Sequence, residues 1–167
     1  LARILAGRGV EPDQAETFLD PTVRRLMPDP DTLTAMKEAA SRIADAIQRG
    51  EQVAIFGDYD VDGATSSALL ARYLRQCGLS PMLHIPDRLF EGYGPNVDAV
   101  RALADRGATL LVTVDCGTTS VEALGEAKRC GMDVVVIDHH QCDANLPDVH
   151  ALVNPNRLDD LSGLNHL

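Results

Sequence analysis

Three observations predict an α/β fold, doubly wound around a mainly parallel sheet of about five strands with helices on both faces. From Val53 onward, short apolar runs alternate with segments of helical periodicity, the signature of βαβ units. The runs Leu110-Leu-Val-Thr-Val114 and Val134-Val-Val-Ile137 are almost continuously apolar, as strands covered on both faces must be. Glycines at 50, 78, 107 and 131 close one helical segment after another.

The elements follow in order. Residues 1–50 read as a helical lead segment. Its first part holds short helical pieces broken by Pro12, Pro21, Pro28 and Pro30. From about Asp31 to Arg49, Leu33, Met36, Ala40, Ile43, Ala44 and Ile47 recur at helical spacing, so that helix buries one face. Residues 51–154 form the α/β domain proper. Val53–Phe56 is a strand, Thr65–Gln76 a helix, Met82–Ile85 a strand and Val97–Arg106 a helix. Leu110–Val114, a helix from about Val121 to Arg129, Val134–Ile137 and a last strand at Ala151–Val153 complete it. Residues 155–167 read as the start of a following element. The chain opens on Leu1 rather than methionine, and the expectation is a piece of a longer protein.

Composition narrows the function classes. At 167 residues and 45% hydrophobic content, one ordinary core is expected. No apolar run approaches the ~20 residues of a membrane span, and no signal pattern opens the chain. Four cysteines without a C-x-x-C pair fit reduced thiols in a cytoplasmic protein. A net charge of -10 argues against a nucleic-acid surface spread over this chain, though acids gathered at a metal site are offset by the metal itself.

The chemistry gathers beyond the strand ends, where open parallel sheets place their ligands. Asp58, Asp60 and Asp62 follow the first strand at alternate positions and share one side if the backbone is extended. Crowded carboxylates repel, and a bound cation resolves the repulsion. A calcium loop would need glutamate at its twelfth position, which is Leu69. A phosphatase nucleophile of the Asp-x-Asp-Gly-Thr type meets Ala64 where threonine belongs. A solvated turn remains the bland alternative. Asp115 in Thr113-Val-Asp-Cys-Gly117 either caps the next turn or binds metal, with Gly117 allowing close backbone approach. Ile137-Asp-His-His-Gln141 is the more specific signal. Imidazole with carboxylates suits Mn²⁺, Zn²⁺ or Fe²⁺ better than Ca²⁺, and the oxygen-rich mixture leans toward Mn²⁺ or Mg²⁺.

The loop Arg88-Leu-Phe-Glu-Gly-Tyr-Gly94 offers Arg88 as a fork for phosphate and Tyr93 as a stacking surface for a base. The alternative is a glycine-rich loop in which Arg88 pairs with Glu91. Asn154-Pro-Asn156 reads as a turn, with Asn154 a candidate contact to the site's backbone. His84, His150 and His166 carry no assembled context.

The ordered set Asp58-Tyr-Asp-Val-Asp-Gly63, Val114-Asp-Cys-Gly117 and Asp138-His-His140 resembles the DHH phosphoesterase superfamily. Glu91-Gly-Tyr-Gly94, Asn154-Pro-Asn156 and the upstream Phe18-Leu-Asp-Pro21 extend the likeness to the branch that degrades single-stranded DNA. An aspartate at 58 agrees with that branch, since other members often carry histidine there.

The resemblance implies a site for two Mn²⁺ ions, with Mg²⁺ an alternative. Asp58 and Asp60 would hold one ion, Asp62 and His139 the other, and Asp115 would bridge them. Asp138 would orient neighbouring groups, while His140 and Arg88 would face the scissile phosphate. It further implies 5′ to 3′ hydrolysis of single-stranded DNA, with a helicase and a single-strand-binding protein as partners and no membrane. The alternatives are a family phosphodiesterase acting on oligoribonucleotides or cyclic dinucleotides, and a non-enzymatic scaffold. Further parts of such an enzyme would lie outside this chain, so little activity is expected of it alone.

Overall fold

A computed structural model describes residues 1–165, which leaves His166 outside the described residues. The chain divides into two compact units after Pro30. The first holds three short helices, α1 (Ala2–Gly7), α2 (Ala15–Leu19) and α3 (Val23–Leu26). Arg25 pairs there with Glu16 and Asp20 at 3.2 and 3.7 Å, and Thr22 caps α3 by accepting from the Arg25 amide.

The second unit is the predicted α/β architecture. Its elements are α4 (Met36–Arg49), β1 (Val53–Gly57), α5 (Val61–Gln76), β2 (Met82–His84), α6 (Val97–Asp105), β3 (Leu110–Val114), α7 (Val121–Arg129), β4 (Asp133–Ile137) and β5 (Ala151–Val153). The sheet order is β2-β1-β3-β4-β5, and every pairing is parallel. Residue alternation along each strand feeds two cores. Ala54, Phe56, Leu111, Val134 and Val136 face Val100 and Leu103 of α6 and Leu124 of α7. Val53, Ile55, Leu110, Val112 and Val135 face Ala39 and Ala46 of α4 and Ala71 and Leu74 of α5. The helix α4, read in sequence as part of the lead segment, thus covers the sheet.

At the amino ends of the strands, α4 is clipped down by a buried cation. Arg42 donates to Glu51 and to Asp133, each at 2.7 Å, and Thr109 donates to Glu51 at 3.1 Å. The hydrogen bonds from Arg42 hold the Glu51 carboxyl below the usual range. The carboxyl ends carry the candidate site. The chain leaves β1 toward β2 on one side and later crosses to β3 on the other, so the connections diverge between β1 and β3.

One local expectation is corrected. The aspartates at 58, 60 and 62 do not lie on one extended segment, because α5 starts at Val61 rather than Thr65. Asp60 is its N-cap, with extended backbone, and accepts from the amides of Asp62 and Gly63 at 2.9 and 3.0 Å. Capping two orphan donors this way sets the helix start four residues early.

Candidate metal centre

Three strand ends converge. Asp58 leaves β1 buried, with 3% of its surface exposed. Asp115 leaves β3 at 6% exposure in a left-handed conformation, φ 61°, which few residues other than glycine adopt. Gly117, at φ 108°, turns the chain back so tightly that a Cβ there would lie 2.5 Å from Thr113 Oγ1. Carboxylate oxygens of Asp58, Asp60 and Asp115 lie within 4.8 Å of one another. A second group, Asp115 with His139 and His140, meets the same limit, and Asp115 belongs to both. His139 Nε2 sits 3.0 Å from Asp115 Oδ1.

The electrostatics are those of a cation site. Asp58 Oδ1 and Asp115 Oδ2 are buried side-chain oxygens without a hydrogen-bond partner, an arrangement that costs kcal/mol unless something positive sits beside it. Burial, and then the neighbouring Asp60 carboxylate, push Asp115 up to about 6. Asp60 is held low, first by the Gly63 amide. Two orphaned carboxylate oxygens with imidazoles alongside match the donor set of Mn²⁺ or Mg²⁺.

Asp138 does a different job. Its Oδ2 accepts from the Thr118 amide at 3.0 Å, and its Oδ1 from the amides of His139 and His140 and from His140 Nδ1 at 2.7, 3.2 and 2.8 Å. Burial works to raise this carboxyl, but those hydrogen bonds keep it below the ordinary range. Its two oxygens are thus spent on four donors.

The 85–94 loop brings Tyr93 against the site. Arg88 lies over the Tyr59 ring, 5.4 Å from its centroid. Tyr93 Oη lies 3.1 Å from His140 Nδ1 and donates to the Asp115 carbonyl at 3.4 Å. Burial and the surrounding acids raise the Tyr93 phenol, so it stays protonated. Glu91 does not pair with Arg88. It meets His84 Nε2 at 2.8 Å and accepts from the Asp87 amide and Asn96 Nδ2 at 3.1 and 3.3 Å. His84 in turn rests on Phe56, ring centroids 4.8 Å apart.

Residues 52–165 match the DHH family, N-terminal domain. The chain belongs to the DHH family. It is 40% identical over 155 residues to the single-stranded-DNA-specific exonuclease RecJ of Bacillus subtilis, covering 93% of this chain and 20% of that protein. The Escherichia coli RecJ is 36% identical, over 95% of this chain and 27% of its own length. The chain therefore spans between a fifth and about a quarter of these curated relatives. A crystal structure of RecJ bound to manganese superposes with TM-score 0.71 at 36% identity, over 77% of this chain and 33% of that one. A RecJ structure from Thermus thermophilus in complex with Mn²⁺ gives 0.68 at 30% identity, over 86% of this chain and 20% of that one.

Of the residues predicted for this DHH site, Asp58, Asp60, Asp115 and His139 are brought together. His140, expected at the phosphate, also joins a potential ligand group. Asp62 points from the exposed first turn of α5 and joins neither group among the described residues. Arg88 and Tyr93 flank the cluster. Cys116, beside Asp115, is buried, and desolvation followed by nearby acids raises its thiol, which disfavours the reactive thiolate. Sequence reasoning missed the His84–Glu91 pair and the part played by Thr118. Six residues of loop separate the first pair, and a threonine after a strand reads only as a cap.

Proposed function

We propose that this chain carries the metal centre of an exonuclease that hydrolyses single-stranded DNA from its 5′ end. The supporting observation is the shared carboxylate of Asp115, which belongs to both potential ligand groups while one of its buried oxygens lacks a partner. Two ions fit this arrangement. Asp58 and Asp60 would hold one, His139 with His140 or Asp62 the other, and Asp115 both. Bound Mn²⁺ or Mg²⁺ supplies Lewis-acid chemistry, acidifying water near neutral pH and neutralising charge on phosphate oxygens.

The chain's own residues do the rest. Asp138 fixes the His140 ring by accepting its Nδ1 proton. Arg88, over the Tyr59 ring, offers a two-pronged contact for a phosphate. Tyr93 stays a neutral donor and presents a half-exposed ring for a nucleobase. The same reading places the protein in the cytoplasm, with a helicase and a single-strand-binding protein supplying the strand.

The test is Mn²⁺-dependent digestion of single strands labelled at the 5′ or the 3′ end by the full-length protein. Release from the 5′ end alone is expected, and removal of the metal should stop it. Equal release from both ends would sink the assignment.

A further inference from the structure

The Asn154-Pro-Asn156 turn holds more hydrogen-bond donors than a turn needs. The turn itself is closed by the Asn156 amide on Asn154 Oδ1 at 2.8 Å and by the Arg157 amide on the Asn154 carbonyl at 3.2 Å. Both side-chain amides are left for other work, and both reach the Asp-His-His run. Asn154, fully buried, donates from Nδ2 to the His140 carbonyl at 2.9 Å and to Thr118 Oγ1 at 2.9 Å. Asn156 Nδ2 donates to the His139 carbonyl, while its Oδ1 accepts from Gln141 Nε2 at 2.9 Å.

Asp138 grips the same run from its other side, by the amides of His139 and His140. Thr118 joins the two grips, its amide on Asp138 and its hydroxyl accepting from Asn154. A closed circuit thus runs from the end of β4 through the loop after β3 to the end of β5 and back. Every peptide group of the two histidines is fixed, which leaves only their side-chain torsions to set.

We infer that Asn154 and Asn156 are positioning residues of the metal centre, holding the carbonyls of His139 and His140 so that both rings face Asp115. The inference rests on the metal reading above. A ligand must be held to within about half an ångström to bind well, and a chain segment gripped by its N–H groups alone can still tip about them. The two asparagines remove that freedom. Loss of partners of this kind typically weakens metal binding by about tenfold to a hundredfold.

The experiment measures Mn²⁺ binding to the full-length protein by calorimetry, beside its circular dichroism and thermal melt without metal. Asn156 is only half-buried, so Asn156→Ala and Asn156→Asp should fold. The aspartate keeps the acceptor for Gln141 but turns an oxygen toward the His139 carbonyl. Both variants should bind Mn²⁺ about tenfold to a hundredfold more weakly while melting within a few degrees of the parent. Thr118→Val, which removes the acceptor for Asn154, should weaken binding as well. Thr118→Ser, which keeps that acceptor, should restore it. Affinities within twofold of the parent, or losses that only follow loss of the folded spectrum, overturn the positioning role. A full-length parent that binds no Mn²⁺ overturns the metal reading instead.

Discussion

Asp115 concentrates the conflict between stability and chemistry in one side chain. Its carboxyl is pushed up to about 6 from an ordinary value of 3.8, chiefly by burial. The folded, metal-free state therefore binds a proton more tightly than the unfolded one. That stabilisation is complete below about pH 4 and is lost as pH rises through 6. Asp115→Asn cannot acquire the charge, so above pH 7 the metal-free variant should be more stable than the parent by about 3 kcal/mol. The gain should vanish at pH 4. Urea unfolding at the two pH values checks this, and a variant less stable at pH 8 would contradict the assigned cause. The same substitution should abolish Mn²⁺ binding, since one carboxylate serves both ligand groups. A group that destabilises the empty fold is present for what it binds.

Elements carry the next level, and here the sequence was legible in proportion to how local each signal was. The strands Leu110–Val114 and Ala151–Val153 and the helix Val121–Arg129 fall where apolar runs and glycine stops place them. The acids of the site were readable because each follows a strand. The start of α5 was not, because Val61-Asp-Gly63 looks like a turn and glycine disfavours a helix interior. Tertiary fit decided it. A Cβ on Gly63 would lie 2.4 Å from the Asp58 carbonyl oxygen, so only glycine lets α5 approach the end of β1. Gly63→Ala should therefore displace Asp58 and Asp60 together, weaken Mn²⁺ binding at least tenfold and lower the melting temperature by several degrees. Parental affinity in a folded Gly63→Ala chain would show that the close approach is dispensable. The 85–94 loop depends on an equally non-local tie. Glu91 gathers His84, Asn96 and the Asp87 amide around one carboxylate, which keeps Arg88 beside Tyr59. In the full-length protein, Glu91→Ala should raise KM for single-stranded DNA several-fold with kcat changed less than twofold. A loss confined to kcat would argue against a substrate-holding loop.

Across the whole molecule, stability and function sit at opposite ends of one sheet. The amino ends are closed by Arg42, buried between Glu51 and Asp133, and the carboxyl ends gather uncompensated acids. This division explains how a chain of net charge -10 tolerates its site. The repulsion is confined to a place where a divalent cation would cancel it, while Arg42, the only buried cation among the described residues, secures the frame. Arg42→Ala removes the main partner of the largely buried Glu51 carboxylate, leaving it Thr109 and a more distant Arg49, and should cost about 3 kcal/mol, or roughly 6–12 °C in melting temperature for a chain of this size. Mn²⁺ at a hundred times its dissociation constant should add about 2.7 kcal/mol, and chelation should remove that gain. Since the two ends share no partner, the effects should add. Arg42→Ala should lower the melt by the same amount with and without Mn²⁺, whereas Asp115→Asn should abolish the Mn²⁺ increment and leave the Arg42 effect intact. A Mn²⁺ increment that shrinks in Arg42→Ala would show instead that the clip at the amino ends reaches through the strands to the metal centre.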